Sequence, residues 1–298
     1  MKADMSLQEL MQLCADRLKA FYPLYLQNIP SPDLKTAMEY SLLNGGKYLR
    51  PLLIYATGCV FNAPLENLDL PASAVELIHT YSLIHDDLPC MDNADLRRGK
   101  PTSHKVYGEG LAVLAGDALH TLAMQIIAHH PSSLKPEKRL QMIHVLTKAC
   151  GPYGMAAGQA MDITMMNDDA LSTDLVMEID QLKTGALFSA CIELGRLASK
   201  DNDEVNQRAM KEFGDCIGLA FQIQDDILDI EASTEQLGKQ QGIDVKNKKD
   251  TYPRLVGLNA AKEKVEALHE RALAAINYLG HQAQILRELA DHMLKRKN

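Results

Sequence analysis

Apolar residues recur at spacings of three and four along almost the whole chain, the period of a helix with one buried face. Leu7, Leu10, Met11, Cys14, Leu18 and Phe21 form the first such stripe, and Ser6-Leu-Gln-Glu9 ahead of it is a capping box. Ser31-Pro32 places a capping hydroxyl and a proline at a second helix start, and that helix should stop near Asn44-Gly45-Gly46. Pro71 can open a helix over 74–88, Asn259 can cap one running to about Gly280, and a last one reaches the C-terminus. Polar, turn-rich breaks fall near 62–70, 130–136, 166–173, 199–204 and 232–251, with no alternating strand pattern between them. The pattern predicts one all-α domain over residues 1–298, with roughly ten core helices. The longest break, 232–251, reads as a mobile lid.

Composition agrees with helices: Trp is absent and aromatics make up 5% of the chain, while Leu, Ala, Met and Ile dominate. A net charge of −8 without a basic block argues against a nucleic-acid partner. The six cysteines form no CxxC pair and no zinc-like spacing, so they read as small core residues of a protein in the reducing cytoplasm. The N-terminus lacks a signal-type apolar region, and the most apolar stretch, 111–128, is interrupted by Asp117, His120 and Gln125, so no membrane insertion is expected.

Two aspartate clusters carry the chemistry: Asp86-Asp87-Leu-Pro-Cys-Met-Asp92 and Asp225-Asp226-Ile-Leu-Asp229, each preceded by apolar, helix-forming sequence. Carboxylates gathered together in apolar surroundings need a cation, and Mg²⁺ takes one or two carboxylates together with substrate phosphate. Asp225 and Asp229 are one turn apart on a helix, with Asp226 about 100° around. Asp86 and Asp92 lie about 240° apart on an ideal helix, so they meet only if Pro89 breaks it. Solvated acidic helix ends are the plainer alternative for either cluster alone.

Cations accompany them. Gly45-Gly46-Lys47-Tyr-Leu-Arg50 puts two basic residues three apart beside glycines that admit an anion close to the backbone. Arg97-Arg98 follows the first cluster, and arginine grips phosphate in bidentate fashion. Either string alone also suits a solvated surface turn.

Together these strings resemble the trans-isoprenyl diphosphate synthases, and within them the bacterial farnesyl diphosphate synthases. GGKxxRP, His79 upstream of DDxxxxD, RRGKPT, Ala115-Gly-Asp117, Gly158-Gln-Ala-Met-Asp162, Lys183-Thr184-Gly185, Phe221-Gln222 running into the second cluster, and Thr251-Tyr252-Pro253 stand in that family's order over most of the chain. The resemblance implies a helical fold around a central cavity, a homodimer, and Mg²⁺, three ions with substrate bound. It implies Asp86, Asp92 and Asp225 as metal ligands, with Asp87, Asp226 and Asp229 in support. Arg97, Lys183, Lys239 and Lys249 match positions that hold an allylic diphosphate, and Lys47, Arg50, His79 and Arg98 match those that hold isopentenyl diphosphate. Lys183, Thr184 and Gln222 match groups at the reacting centre. Ala94 stands where many relatives carry Asp, which puts an outer contact of the metal site in doubt. Tyr81, about 7.5 Å along a helix from Asp86, and Ser82 match the chain-length position, where an aromatic ring favours a C15 over a C20 product. A C20 synthase, a non-catalytic partner subunit and a terpene cyclase are the rival readings, although Asp225-Asp226-Ile-Leu-Asp229 does not fit a cyclase's second metal motif.

Overall fold

A computed structural model describes residues 5–165, 172–231 and 251–295. The described chain is a stack of helices: α1 (Leu7–Phe21), α2 (Pro23–Leu26), α3 (Pro32–Leu42), α4 (Leu49–Val60), α5 (Leu65–Asp86), α6 (Ser103–Tyr107), α7 (Glu109–His129), α8 (Pro136–Cys150), α9 (Met155–Thr164), α10 (Thr173–Asp180), α11 (Ala186–Leu197), α12 (Glu204–Glu231), α13 (Tyr252–Val256), α14 (Leu258–Ala275) and α15 (Gln284–Leu294). A π-helical segment, Gln181–Gly185, joins α10 to α11, and a 3₁₀ segment, Asn277–Ala283, precedes α15.

The N-termini expected at Ser6 and Ser31 form. The Ser6 amide donates to Glu9 Oε2 at 2.9 Å while the Glu9 amide donates back to Ser6 Oγ at 3.3 Å. Ser31 Oγ accepts from the Leu34 amide at 3.3 Å, with Pro32 at the first helical position. The core lies where α4, α5, α11 and α12 pack together, with α7 along α5 and α14 along α12. Ile54, Tyr55, Leu77, Ile78, Phe188, Cys191, Phe213 and Ile223 are buried there.

Several sequence expectations need correction. Pro71 does not open a helix; it sits inside α5, which begins at Leu65. The missing amide and ring clash cost about 3 kcal/mol, yet Leu68, Leu70, Ala72, Ala74 and Val75 are all fully buried, and each buried Leu or Val contributes about 1.5–3 kcal/mol. Asn259 is not the cap of α14, because Gly257, at φ 87°, already turns the chain into it. That helix stops at Ala275 instead of Gly280, whose φ of 57° and ψ of −136° break the helical course. A two-residue antiparallel hairpin, β1 (Leu96–Arg97) with β2 (Lys100–Pro101), was not legible as strands. Its turn residues Arg98 and Gly99 both have positive φ, as two-residue hairpin turns of the mirror-image type require. Of the cysteines, Cys14, Cys150, Cys191 and Cys216 are buried as expected, whereas Cys59 is half-buried and Cys90 is exposed between Asp86 and Asp92.

Helix α7 is long and apolar enough, by length and composition, to cross a membrane. Its Ala112, Ala115, Leu119, Ala123, Ile126 and Ile127 face is buried against α5 and its neighbours, which accounts for the composition.

Candidate active site

Helix α5 ends at Asp86, and the following loop folds back so that the Asp92 amide donates to the Asp86 carbonyl at 2.9 Å. This brings together two residues that an unbroken helix would hold apart. Both carboxylates are half-buried. Asp87 does something different: it is buried, and Arg97 of the hairpin donates to it from Nε at 2.8 and 2.9 Å and from Nη2 at 2.6 Å. Its carboxylate therefore anchors the hairpin. Burial pulls the Arg97 pKa down, but the bond from Asp87 and the charges of Asp87, Asp86 and Asp92 outweigh it and raise the pKa overall. At Ala94, where Asp was the commoner expectation, the backbone carbonyl accepts from Thr102 Oγ1 at 2.8 Å, tying the loop to the start of α6.

The second cluster sits on α12, with Asp225 half-buried and Asp226 and Asp229 buried. Gln222 lies one turn before Asp226 and donates Nε2 to its Oδ1 at 2.9 Å; its amide oxygen accepts from Thr184 Oγ1 at 2.8 Å. The order of this relay is forced. An ionised carboxylate only accepts, so the Gln222 nitrogen faces Asp226 and its oxygen faces Thr184, which must donate. The single hydroxyl proton of Thr184 is thus committed, and its lone pairs are what it can offer elsewhere.

Thr184 and Lys183 lie on the π-helical segment, a local widening that recurs at functional sites. Helix α9 lies hard against it: a Cβ on Gly158 would stand 2.3 Å from the Lys183 amide nitrogen, so only glycine fits. Lys183 Nζ is 2.6 Å from Asp162 Oδ2 on the same helix. Asp162 was noted in the sequence only as part of a motif, and nothing in its spacing pointed to Lys183.

The basic residues gather on the other side. Lys47 precedes α4 instead of lying on it, because Gly45, Gly46 and Tyr48 take φ values of 77°, 154° and 47°. Arg98 donates Nη1 to the Gly45 carbonyl, and a Cβ on Gly46 would stand 2.9 Å from that guanidinium. Arg50 Nη1 is 3.4 Å from His79 Nε2, and its guanidinium lies 4.8 Å above the Phe188 ring, itself 4.7 Å from Phe221. Burial, followed by the charges of Arg50, Arg98 and Arg97, holds His79 well below its ordinary pKa, so the imidazole is neutral. Glu76, one turn earlier on α5, is a buried carboxyl that sequence reasoning missed. Burial raises its pKa to about 7 against the pull of Arg98 and Arg50.

A cavity of about 420 Å³ joins these parts. Arg50, His79, His85, Asp86, Gln159, Lys183 and Thr184 are among its polar lining, with Tyr81 and Ser82 of α5, and Leu83, Met91, Met155, Ala156, Ala160 and Ile163 make its apolar wall. Asp86 reaches it directly, and the second cluster meets it through Gln222 and Thr184. Lys239, Lys249 and all of the expected lid except Thr251 lie outside the described residues.

Among the described residues no three His, Cys, Asp or Glu side chains converge into a closed metal cage. This fits Mg²⁺, which keeps waters and takes part of its octahedron from phosphate oxygens. Asp86 and Asp92, drawn together by the Asp92–Asp86 backbone bond and both half-buried, with Asp86 on the cavity wall, offer the hard oxygen donors that such an ion needs.

An all-α fold with two aspartate clusters and a partly apolar cavity that Arg50 and Lys183 line defines a class of protein that handles an apolar chain carrying phosphate. The polyprenyl synthetase family model matches residues 31–288, and the chain belongs to that family. It is 44% identical over 278 residues to the farnesyl diphosphate synthase of Escherichia coli, covering 92% of each chain. It is also 44% identical over 264 residues to the chloroplastic geranylgeranyl pyrophosphate synthase of Capsicum annuum, covering 88% of this chain and 71% of that one. Among solved structures, the geranyltransferase of Legionella pneumophila superposes with a TM-score of 0.87 at 34% identity, covering 99% of this chain and 100% of that one. The geranyltransferase of Helicobacter pylori complexed with magnesium and isoprenyl diphosphate gives 0.84 at 32% identity, covering 96% and 98%.

Proposed function

We propose that this chain is a Mg²⁺-dependent prenyltransferase that condenses isopentenyl diphosphate with dimethylallyl and then geranyl diphosphate, giving farnesyl diphosphate and diphosphate. The observation that carries the reading is the single cavity on which Asp86, Lys183, Thr184, Arg50 and Tyr81 converge. Asp86, Asp92 and Asp225 would hold the metal, three ions with substrate bound, and the metal supplies charge neutralisation for the leaving diphosphate. Arg97 and Lys183 would grip the allylic diphosphate, with Asp162 keeping Lys183 directed until substrate arrives. Lys47, Arg50, Arg98 and neutral His79 would hold isopentenyl diphosphate.

As the allylic C–O bond breaks, positive charge grows on carbon, and the lone pairs of Thr184 on the cavity wall would stabilise it. The walls formed by Met91, Met155, Ala156 and Ile163 keep water from that cation. The double bond of isopentenyl diphosphate then forms the new C–C bond, and a proton leaves to the released diphosphate.

The farnesyl diphosphate synthase of Escherichia coli and the geranylgeranyl pyrophosphate synthase of Capsicum annuum are both 44% identical to this chain, so similarity alone does not fix product length. Tyr81 on the cavity wall favours C15. We also infer a cytoplasmic homodimer, supported by Val113 and Leu114 on the outer face of α7, which are 38% and 57% exposed. Mass analysis of products from isopentenyl diphosphate, Mg²⁺ and a C5 or C10 primer tests the function. C15 as the main product is expected, and no condensation would overturn it.

A further inference from the structure

Tyr81 can end a growing chain only if its ring holds its place. The side chain turns about two torsions, and an unsupported ring would swing aside as the next isoprene unit pressed on it. The support comes from two histidines, His85 on the cavity wall and His120 behind it. His120 of α7 meets the Tyr81 ring edge-to-face, with centroids 5.0 Å apart and planes at 86°. His85, one turn along α5, makes a second such contact at 5.6 Å and 82°.

These contacts pair up across two helices. Tyr81 and His85 are four apart on α5, and His120 and Gly116 are four apart on α7, so each pair lies on one helix face. Tyr81 meets His120, while His85 fills the space that Gly116 leaves, where a Cβ would stand 2.2 Å from His85 Nε2. His85 is fixed in turn by Val113, whose carbonyl lies 3.1 Å from its Nε2. His120 is backed by α8, its Nε2 lying 3.9 Å from Cys150 Sγ. His120 does not itself line the cavity.

We propose that His120 is a positioning residue that pins the Tyr81 ring and thereby sets product length. The proposal rests on reading Tyr81 as the floor of the cavity. Burial lowers the His120 pKa, so the contact is made by a neutral imidazole.

Three variants of the full chain test it: His120→Ala, His120→Phe and Tyr81→Ala, each assayed for C20 and C15 products. His120→Ala should raise the C20-to-C15 ratio about two- to tenfold, the factor that one edge-to-face pair is worth. His120→Phe, which restores a ring, should return the ratio to wild type, a rescue that a merely structural residue would not give. Thermal melting and the C5-plus-C5 rate check the fold, and His120→Val replaces the alanine variant if that one does not fold. If Tyr81→Ala lengthens the product while His120→Ala leaves the ratio at its wild-type value, the positioning role is overturned. If Tyr81→Ala leaves the product unchanged, the floor reading itself fails, and this proposal falls with it.

Discussion

The Thr184 hydroxyl donates to the Gln222 amide oxygen at 2.8 Å, which commits its proton and leaves only its lone pairs to offer to the cavity it lines. Because Asp226 can only accept from Gln222, the direction of the relay is fixed from the second aspartate cluster outward. Thr184→Val keeps the shape and removes the lone pairs. It should lower kcat about tenfold to a hundredfold, towards the loss seen when an electrostatic stabiliser is removed, with both KM values little changed. Thr184→Ser should restore most of the rate. Steady-state kinetics with each substrate varied in turn checks this, and a change in KM alone would assign Thr184 to ground-state binding.

Arg50 and Lys183 approach the cavity from different helices and should separate kinetically. Arg50→Ala removes a charged phosphate contact of about 1.5–3 kcal/mol, so KM for isopentenyl diphosphate should rise by about ten- to a hundredfold. Lys183→Ala should act on the allylic substrate and on kcat. The opposite pattern in substrate titrations would mean that the two diphosphate sites are assigned the wrong way round.

Glu76 predicts a pH dependence of stability. Its folded pKa, about 7, is raised from the ordinary 4.5 by burial. The native state thus binds its proton more tightly than the unfolded state; its favourable contribution is complete below pH 4.5 and is lost as pH rises through about 7. Glu76→Gln should therefore leave stability nearly unchanged at pH 4.5 and raise it relative to wild type by about 3 kcal/mol at pH 8. Denaturant melts at the two pH values measure the difference. An equal effect at both would mean that Glu76 does not titrate in this range.

Much of this site was legible because its parts are local strings. Ser6, Ser31, the GGK loop and the two aspartate clusters each announce a cap, a turn or a helix face by spacing alone. Pro89 correctly signalled that the helix ends and lets Asp92 return to Asp86. What could not be read depends on contacts between distant segments. Asp87 looks like a metal ligand in sequence but is claimed by Arg97 across a hairpin that two-residue strands do not announce. Pro71 looks like a helix start, and only the burial of its neighbours shows why α5 runs through it. The π-helical register at Lys183 and Thr184 follows from packing against Gly158 and α12, and no local pattern encodes it.

Two carboxylate clusters, one reaching the cavity directly through Asp86 and the other carrying Asp225, would clamp a diphosphate through Mg²⁺. The most direct measurement is the single-turnover rate of Asp86→Ala and Asp225→Ala at saturating Mg²⁺, beside wild type with and without EDTA. EDTA should abolish condensation, and each substitution should slow it by at least about a hundredfold while melting temperatures stay near wild type. Either variant turning over at the wild-type rate would contradict the clamp.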